Sequence, residues 1–143
     1  MKCNDYAAQH GLRGFSVYQG RWSAAERDHE REILPMCLDQ GMALAPWGVL
    51  GGGYFKPKEQ VGNDGGRNMP TVRTGARKEA DVAEVLERVA RRKGTLITSV
   101  ALAYVMHKSP YVFPICGGRK VEHLKGNIEA LGLELSEGDR DGI

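Results

Sequence analysis

Tyr111-Val112-Phe113-Pro114-Ile115-Cys116-Gly117-Gly118-Arg119-Lys120-Val121 is the stretch whose reading decides the fold. Its first half is β-branched and aromatic, which favours a strand. Two glycines then break the run, and Leu124, Ile128 and Leu131 fall on one face of the helix that follows. Upstream the same alternation recurs. Phe15-Ser16-Val17-Tyr18-Gln19 predicts a strand. Ser23-x-x-Glu26 matches a capping box and predicts a helix running to about Gln40, stopped by Gly41 and kinked by Pro35. Met42-Ala43-Leu44-Ala45-Pro46 is nearly all apolar, the pattern of a strand covered on both faces. Alternating strands and helices point to parallel strands joined by right-handed crossovers.

The remaining segments fit that order. Asp5 to Gly11 reads as the tail of a helix ended by glycine. From Glu79 the apolar positions Val82, Val85, Leu86 and Val89 are helical, with Gly94 as the stop. A second helix starts near Ile97, carries Val100, Ala101, Tyr104 and Val105 on one face, and ends before Ser109-Pro110. Ser136 to Asp139 opens a last helix. Between Trp47 and Ala76 no period is sustained, and a mobile loop is expected over 54–77.

Composition bounds the function. A net charge of +2, from 20 basic and 18 acidic residues that are interspersed, gives no footprint for nucleic acid. No stretch approaches the roughly 18 apolar residues of a membrane span, so no membrane partner is expected. Cys3, Cys37 and Cys116 are dispersed and form no Cys-x-x-Cys pair, which suits a reducing, cytoplasmic location and argues against structural zinc. The four histidines show no metal-ligand spacing, and His29-Glu30-Arg31-Glu32 reads as a solvated helix face. There is no Gly-x-x-x-x-Gly-Lys loop, no Gly-x-Gly-x-x-Gly after a strand and no Gly-x-Ser-x-Gly elbow.

Ligands of parallel α/β proteins sit at the C-terminal ends of strands, and three such ends are present. At the third, Gly117 and Gly118 let backbone amides approach an anion, the following helix offers its N-terminus, and Arg119 and Lys120 add charge. A plain turn with solvated basic residues is the alternative. Gln19 ends the first strand with a group that both donates and accepts, suited to a carboxamide, or is an ordinary exposed residue. Leu44-Ala45-Pro46-Trp47 ends the second and runs into Gly51-Gly52-Gly53; Trp47 either walls an aromatic pocket or packs at the rim. Cys116 is read as a small buried filler.

Together these strand ends resemble the C-terminal part of the aldo-keto reductases, closest to the fungal aryl-alcohol dehydrogenase group. The likeness rests on Val17 to Ser23, Ala43 to Trp47 with Gly51 to Gly53, and Val112 to Leu124 continuing into Asn127 to Leu131. It implies an α/β fold made of about three β/α units from a (β/α)8 TIM barrel that binds NADP(H), with residues 1–143 as one partial barrel. It further implies that Gln19 holds the nicotinamide carboxamide and that Leu44 sits where the family usually stacks an aromatic ring. Ala45, Pro46 and Trp47 would continue the wall toward the pyrophosphate. Gly117, Gly118, Arg119 and Lys120 would hold the adenosine 2′-phosphate, and His123 and Asn127 would meet the adenine end. Gly126 stands where many relatives carry a carboxylate, and Tyr54 where they often carry a basic residue. The family's catalytic Asp, Tyr, Lys and His have no matching positions, so no catalytic residue and no metal site are expected. The activity implied for a complete relative is interconversion of aromatic or hydrophobic aldehydes or ketones with alcohols. The unclosed sheet implies a second class of role, a noncatalytic remnant or interaction module, with self-association through open sheet edges.

Overall fold

A computed structural model describes residues 1–57 and 76–143. The loop expected over 54–77 lies outside the described residues except at its two ends. The glycine stops fall where the sequence puts them. Helix α1 (Lys2–Gln9) is closed by Gly11 at φ 65°, with the Leu12 N–H donating to the Ala7 carbonyl at 2.8 Å. The long helix α3 (Ala76–Lys93) is closed by Gly94 at φ 67°. Such left-handed residues let the next amides turn back to the last helical carbonyls.

The sheet is small and parallel. Strand β1 (Val17–Tyr18) pairs with β2 (Ala43–Leu44), with Val17 opposite Ala43 and Tyr18 opposite Leu44. Residues 111–116 flank β2 on its other side through a parallel bridge between Leu44 and Val112. There the Leu44 N–H donates to the Tyr111 carbonyl at 2.9 Å and the Phe113 N–H to the Leu44 carbonyl at 2.8 Å. Helix α2 (Ile33–Asp39) connects the first pair, and α3 with α4 (Ile97–Met106) connects the second.

Period-two alternation gives this sheet two unlike faces. Tyr18, Leu44 and Val112 share the covered face; Leu44 and Val112 are buried in one core with Trp22, Leu86, Val100 and Tyr104, and Tyr18 packs against it. Helix α4 is buried from Ser99 to Val105, almost all round, as an internal helix without a polar stripe must be. The opposite face carries Val17 and Gln19, then Ala43 and Ala45, then Tyr111 and Phe113. Among the described residues the 42–46 strand is therefore covered on one face only, because their helices pack on one side of the sheet.

Two local expectations are corrected. The Ser23 hydroxyl accepts from the Glu26 N–H at 3.1 Å, but the reciprocal bond joins the Ser23 N–H to the Glu26 carbonyl, closing a turn instead of starting a helix. Helix α2 begins only at Ile33, which puts Pro35 in its first turn, where a missing N–H costs nothing and no kink is needed. The later start also turns His29 and Glu30 inward. His29 is buried and stacked on Trp22, with ring centroids 5.3 Å apart. Glu30 accepts from the Trp22 indole N–H at 3.2 Å and from Arg27 at 2.9 Å.

Helix α5 (Val121–Glu129) packs on α4 through buried Gly126, whose carbonyl accepts from the Ser99 hydroxyl at 2.9 Å. Helix α6 (Glu137–Asp141) starts with a complete capping box between Ser136 and Asp139. Asp139 also meets Arg92 and Lys93, tying the C-terminal segment to the end of α3. Hydrogen bonds from the Ser136 hydroxyl and backbone hold its carboxyl well below the usual range, with burial opposing and the two cations assisting.

Candidate cofactor site

Parallel pairing brings the three strand ends to one edge of the sheet. The Ala45 N–H donates to the Tyr18 carbonyl at 2.8 Å, the Trp47 N–H to the Gly20 carbonyl at 3.0 Å, and the Ile115 N–H to the Pro46 carbonyl at 2.8 Å. Residues 19–20, 46–47 and 115 thus form one hydrogen-bonded layer.

Alternation then divides the expected cofactor wall. Gln19, Ala45 and Trp47 stand on the open face, with Gln19 and Trp47 exposed and Ala45 partly covered. Leu44 and Pro46 are buried on the covered face, where they position the strand end from behind. The glycine run beyond Trp47 forms a tight turn in which Gly51 has φ 64°. A Cβ there would meet the Phe55 ring at 2.9 Å, so both backbone angle and packing require glycine.

The basic turn is open. Residues 117–120 are exposed, and a Cβ on Gly117 would meet nothing within 4 Å. Gly118 is constrained instead: a Cβ there would lie 2.9 Å from the His123 Cβ. Lys120 is the extended N-cap of α5 and makes no side-chain cap bond, so the first-turn amides are not covered by a capping side chain. The Arg119 N–H donates to the His123 Nδ1 at 3.4 Å, drawing His123 to the turn, and Asn127 follows one helical turn later, partly exposed. Open space, an uncapped helix start and two cations fit a phosphate group. Gly126 cannot be replaced by a carboxylate without movement, because its Cβ would meet the Leu96 Cδ1 at 2.8 Å.

One residue escaped the sequence reading. Arg21 lies two positions beyond Gln19, bridges Trp47 in the parallel ladder and holds its guanidinium 5.9 Å from the Trp47 ring centroid. Glu26 steadies it at 3.4 Å. Strand parity with Gln19 was the available signal. Cys116 is exposed, not a buried filler, although local desolvation still raises its thiol above the ordinary value and keeps it protonated near neutral pH. Among the described residues no group of His, Cys, Asp and Glu could hold a metal ion. No described helix is long and apolar enough to cross a membrane.

Comparison with known proteins bears on the family and the fold. Residues 3–143 match the model described as "Aldo/keto reductase family". Norsolorinic acid reductase A of Aspergillus parasiticus is 57% identical over 137 residues, covering 96% of this chain and 34% of that protein. An aryl-alcohol dehydrogenase of Pestalotiopsis microspora is 58% identical, covering 96% and 35%. The chain spans about a third of the length of these relatives. Among solved structures, a glycerol dehydrogenase from Gluconobacter oxydans superposes with a TM-score of 0.72 at 20% identity, covering 92% of this chain and 42% of the other. A thermostable aldo-keto reductase superposes with a TM-score of 0.68, again covering 42% of its chain. The three parallel strand segments and their helices are part of a TIM barrel, and the chain belongs to the aldo/keto reductase family.

Proposed function

We propose that this chain is the NADP(H)-gripping portion of an aryl-alcohol dehydrogenase-like oxidoreductase. The observation that carries the reading is the single hydrogen-bonded layer of strand ends that runs directly into the exposed basic turn at Gly117 to Lys120. Gln19 pairs the nicotinamide carboxamide, Ala45 and Trp47 line the middle of the cofactor, and Leu44 and Pro46 fix that strand end from behind. Arg119 and Lys120 meet the 2′-phosphate, which favours NADP over NAD. His123 and Asn127 border the adenine. When bound, the nicotinamide supplies or accepts hydride; this chain's residues orient it. In a complete relative the substrates would be aromatic or other hydrophobic aldehydes and ketones and their alcohols.

This chain alone is expected not to turn over. No position matches the family's Asp, Tyr, Lys and His, and loss of general acid–base help typically costs about 10²–10⁴-fold. Titration with NADPH, following nicotinamide or tryptophan fluorescence, tests the reading. Saturable binding is expected; no signal at millimolar cofactor would refute it.

A second reading, an interaction module pairing through open barrel edges, has its own support. Among the described residues no strand pairs with the outer side of β1 or of 111–116. Self-association by that route predicts an elution volume in size-exclusion chromatography that shifts with concentration, and a constant monomer would exclude it. A cytoplasmic location is part of the same proposal.

A further inference from the structure

Arg21 and Trp47 form a composite surface at the edge of the proposed cofactor wall. The two residues are partners in a parallel bridge, one step beyond the hydrogen-bonded layer of strand ends. Parallel partners put their side chains on the same face of a sheet. Alternation persists this far. Gly20 backs onto His29, where a Cβ would lie 2.8 Å from the His29 Cε1, and Trp22 is fully buried. Arg21 therefore stands with Gln19 on the open face, about 6.5 Å further out along the strand.

The Arg21 side chain crosses toward the second strand. Its stem passes beside Gly48, where a Cβ would stand 3.5 Å from the Arg21 Cγ, and its guanidinium carbon lies 5.9 Å from the Trp47 ring centroid. That distance is within cation–π range. Glu26 also meets the Arg21 Nη2 at 3.4 Å, and both side chains of that pair are part-exposed. The cation is thus placed between an indole and a carboxylate before any ligand arrives, which lowers the cost of ordering it on binding.

The order of the strand ends locates this cation along the cofactor. In the proposed site Gln19, on the first strand, pairs the nicotinamide carboxamide, and Gly117 to Lys120, after the third, meet the 2′-phosphate. The diphosphate of a dinucleotide joins those two ends and must cross the second strand, whose last bridged residue on the open face is Trp47. A guanidinium drawn from the first strand toward Trp47 reaches that crossing. Glu26 does not forbid it, because an ion pair between part-exposed side chains is worth little, and the two negative charges of a diphosphate outweigh one carboxylate.

We infer that Arg21 is a further cofactor-binding residue, placed by Trp47 and Glu26 to meet the diphosphate that NADPH and NADH share. The inference rests on the proposed cofactor role and adds a contact that, unlike Arg119 and Lys120, does not discriminate between the two cofactors. The test is titration of the full chain and its variants with NADPH, NADH and ADP-ribose 2′-phosphate, which keeps the diphosphate and lacks the nicotinamide. Arg21→Gln should weaken all three by one common factor of about tenfold, through loss of a charge-assisted hydrogen bond. Arg21→Lys, which keeps a charge, should recover part of that loss; Arg21→Met, which keeps only the apolar stem, should not. Affinity should also fall less steeply with added salt in Arg21→Gln than in the unmodified chain, a readout that lost packing alone would not move. Arg31→Gln, at an exposed ion pair with Asp28, should leave every affinity unchanged. Because Arg21 lies outside the buried core, circular dichroism should report an unaltered fold for each variant. No NADPH binding by the unmodified chain would overturn the cofactor role and this inference together. NADPH binding that Arg21→Gln leaves unchanged, a loss confined to NADPH, or equal losses in the Lys and Met variants would overturn the inference alone. So would a loss seen with both dinucleotides but not with ADP-ribose 2′-phosphate, which would move Arg21 to the nicotinamide end.

Discussion

Removing the Glu30 carboxylate should loosen the strand end that carries Gln19 and Arg21. Trp22 is fully buried, and its indole N–H has Glu30 as its acceptor at 3.2 Å. Its backbone N–H donates to the Trp47 carbonyl at 3.2 Å, so Trp22 links this acid to the proposed cofactor wall. Glu30→Ala leaves a buried indole donor without its partner, at a cost of about 1–3 kcal/mol. It also removes two hydrogen bonds from Arg27, whose half-exposed side chain limits that part to roughly 0–1 kcal/mol. Burial pushes the Glu30 carboxyl up, but hydrogen bonds from Arg27 and Trp22 and the charges of Arg27 and Lys108 bring it net below its ordinary value. It is therefore ionised, and a full acceptor, at neutral pH. The total loss should be about 1–4 kcal/mol, read as a lower urea midpoint with unchanged slope. A double-mutant cycle with Trp22→Phe isolates the indole bond: in the Phe background Glu30→Ala should cost about 1–3 kcal/mol less. Equal costs in both backgrounds would refute the reasoning.

Other outcomes follow from the same geometry. Arg119→Ala with Lys120→Ala should weaken NADPH about 10- to 100-fold while changing NADH little, because only the 2′-phosphate loses charge-assisted bonds; equal losses for both cofactors would contradict the assignment. His29 is pushed below its ordinary value by burial, with Glu30 opposing. A histidine whose folded pKa is lowered binds fewer protons folded than unfolded, so stability should fall as pH drops below about 6.5 and level off below the folded value. Urea midpoints measured between neutral and mildly acidic pH should show this, and His29→Phe should flatten the part due to His29; an unchanged slope would exclude that contribution. Gly51→Ala should destabilise by about 1 kcal/mol or more, from its positive φ and the contact with Phe55, read as a lower melting temperature.

The elements legible in the sequence were those with a local physical signature. Gly11 and Gly94 stop helices because a left-handed residue suits glycine, and Ser136 and Asp139 form the box their spacing announces. Parallel order followed from alternation alone. Ser23 and Glu26 misled because the same spacing serves a tight turn, and only packing of Trp22 against His29 decides between turn and helix. That contact, between residues seven apart, goes with His29 and Glu30 facing inward, against their local reading as a solvated face.

The candidate site divides similarly. The basic turn was visible as glycines followed by cations, whereas the opposed facing of Leu44 and Trp47 needed strand register. Arg21 was hidden because its relation to Trp47 is a cross-strand one, absent from linear spacing. Leu124, Ile128 and Leu131 share one face as their spacing predicts, and that face is exposed because no element among the described residues covers it.

The most direct measurement is calorimetric titration of the purified full chain with NADPH and, separately, NADH. One-to-one binding of NADPH at least tenfold tighter than NADH is the predicted result, about 1.4 kcal/mol or more from the 2′-phosphate. No binding of NADPH at millimolar concentration, or equal affinity for the two, would contradict a 2′-phosphate site at Gly117 to Lys120.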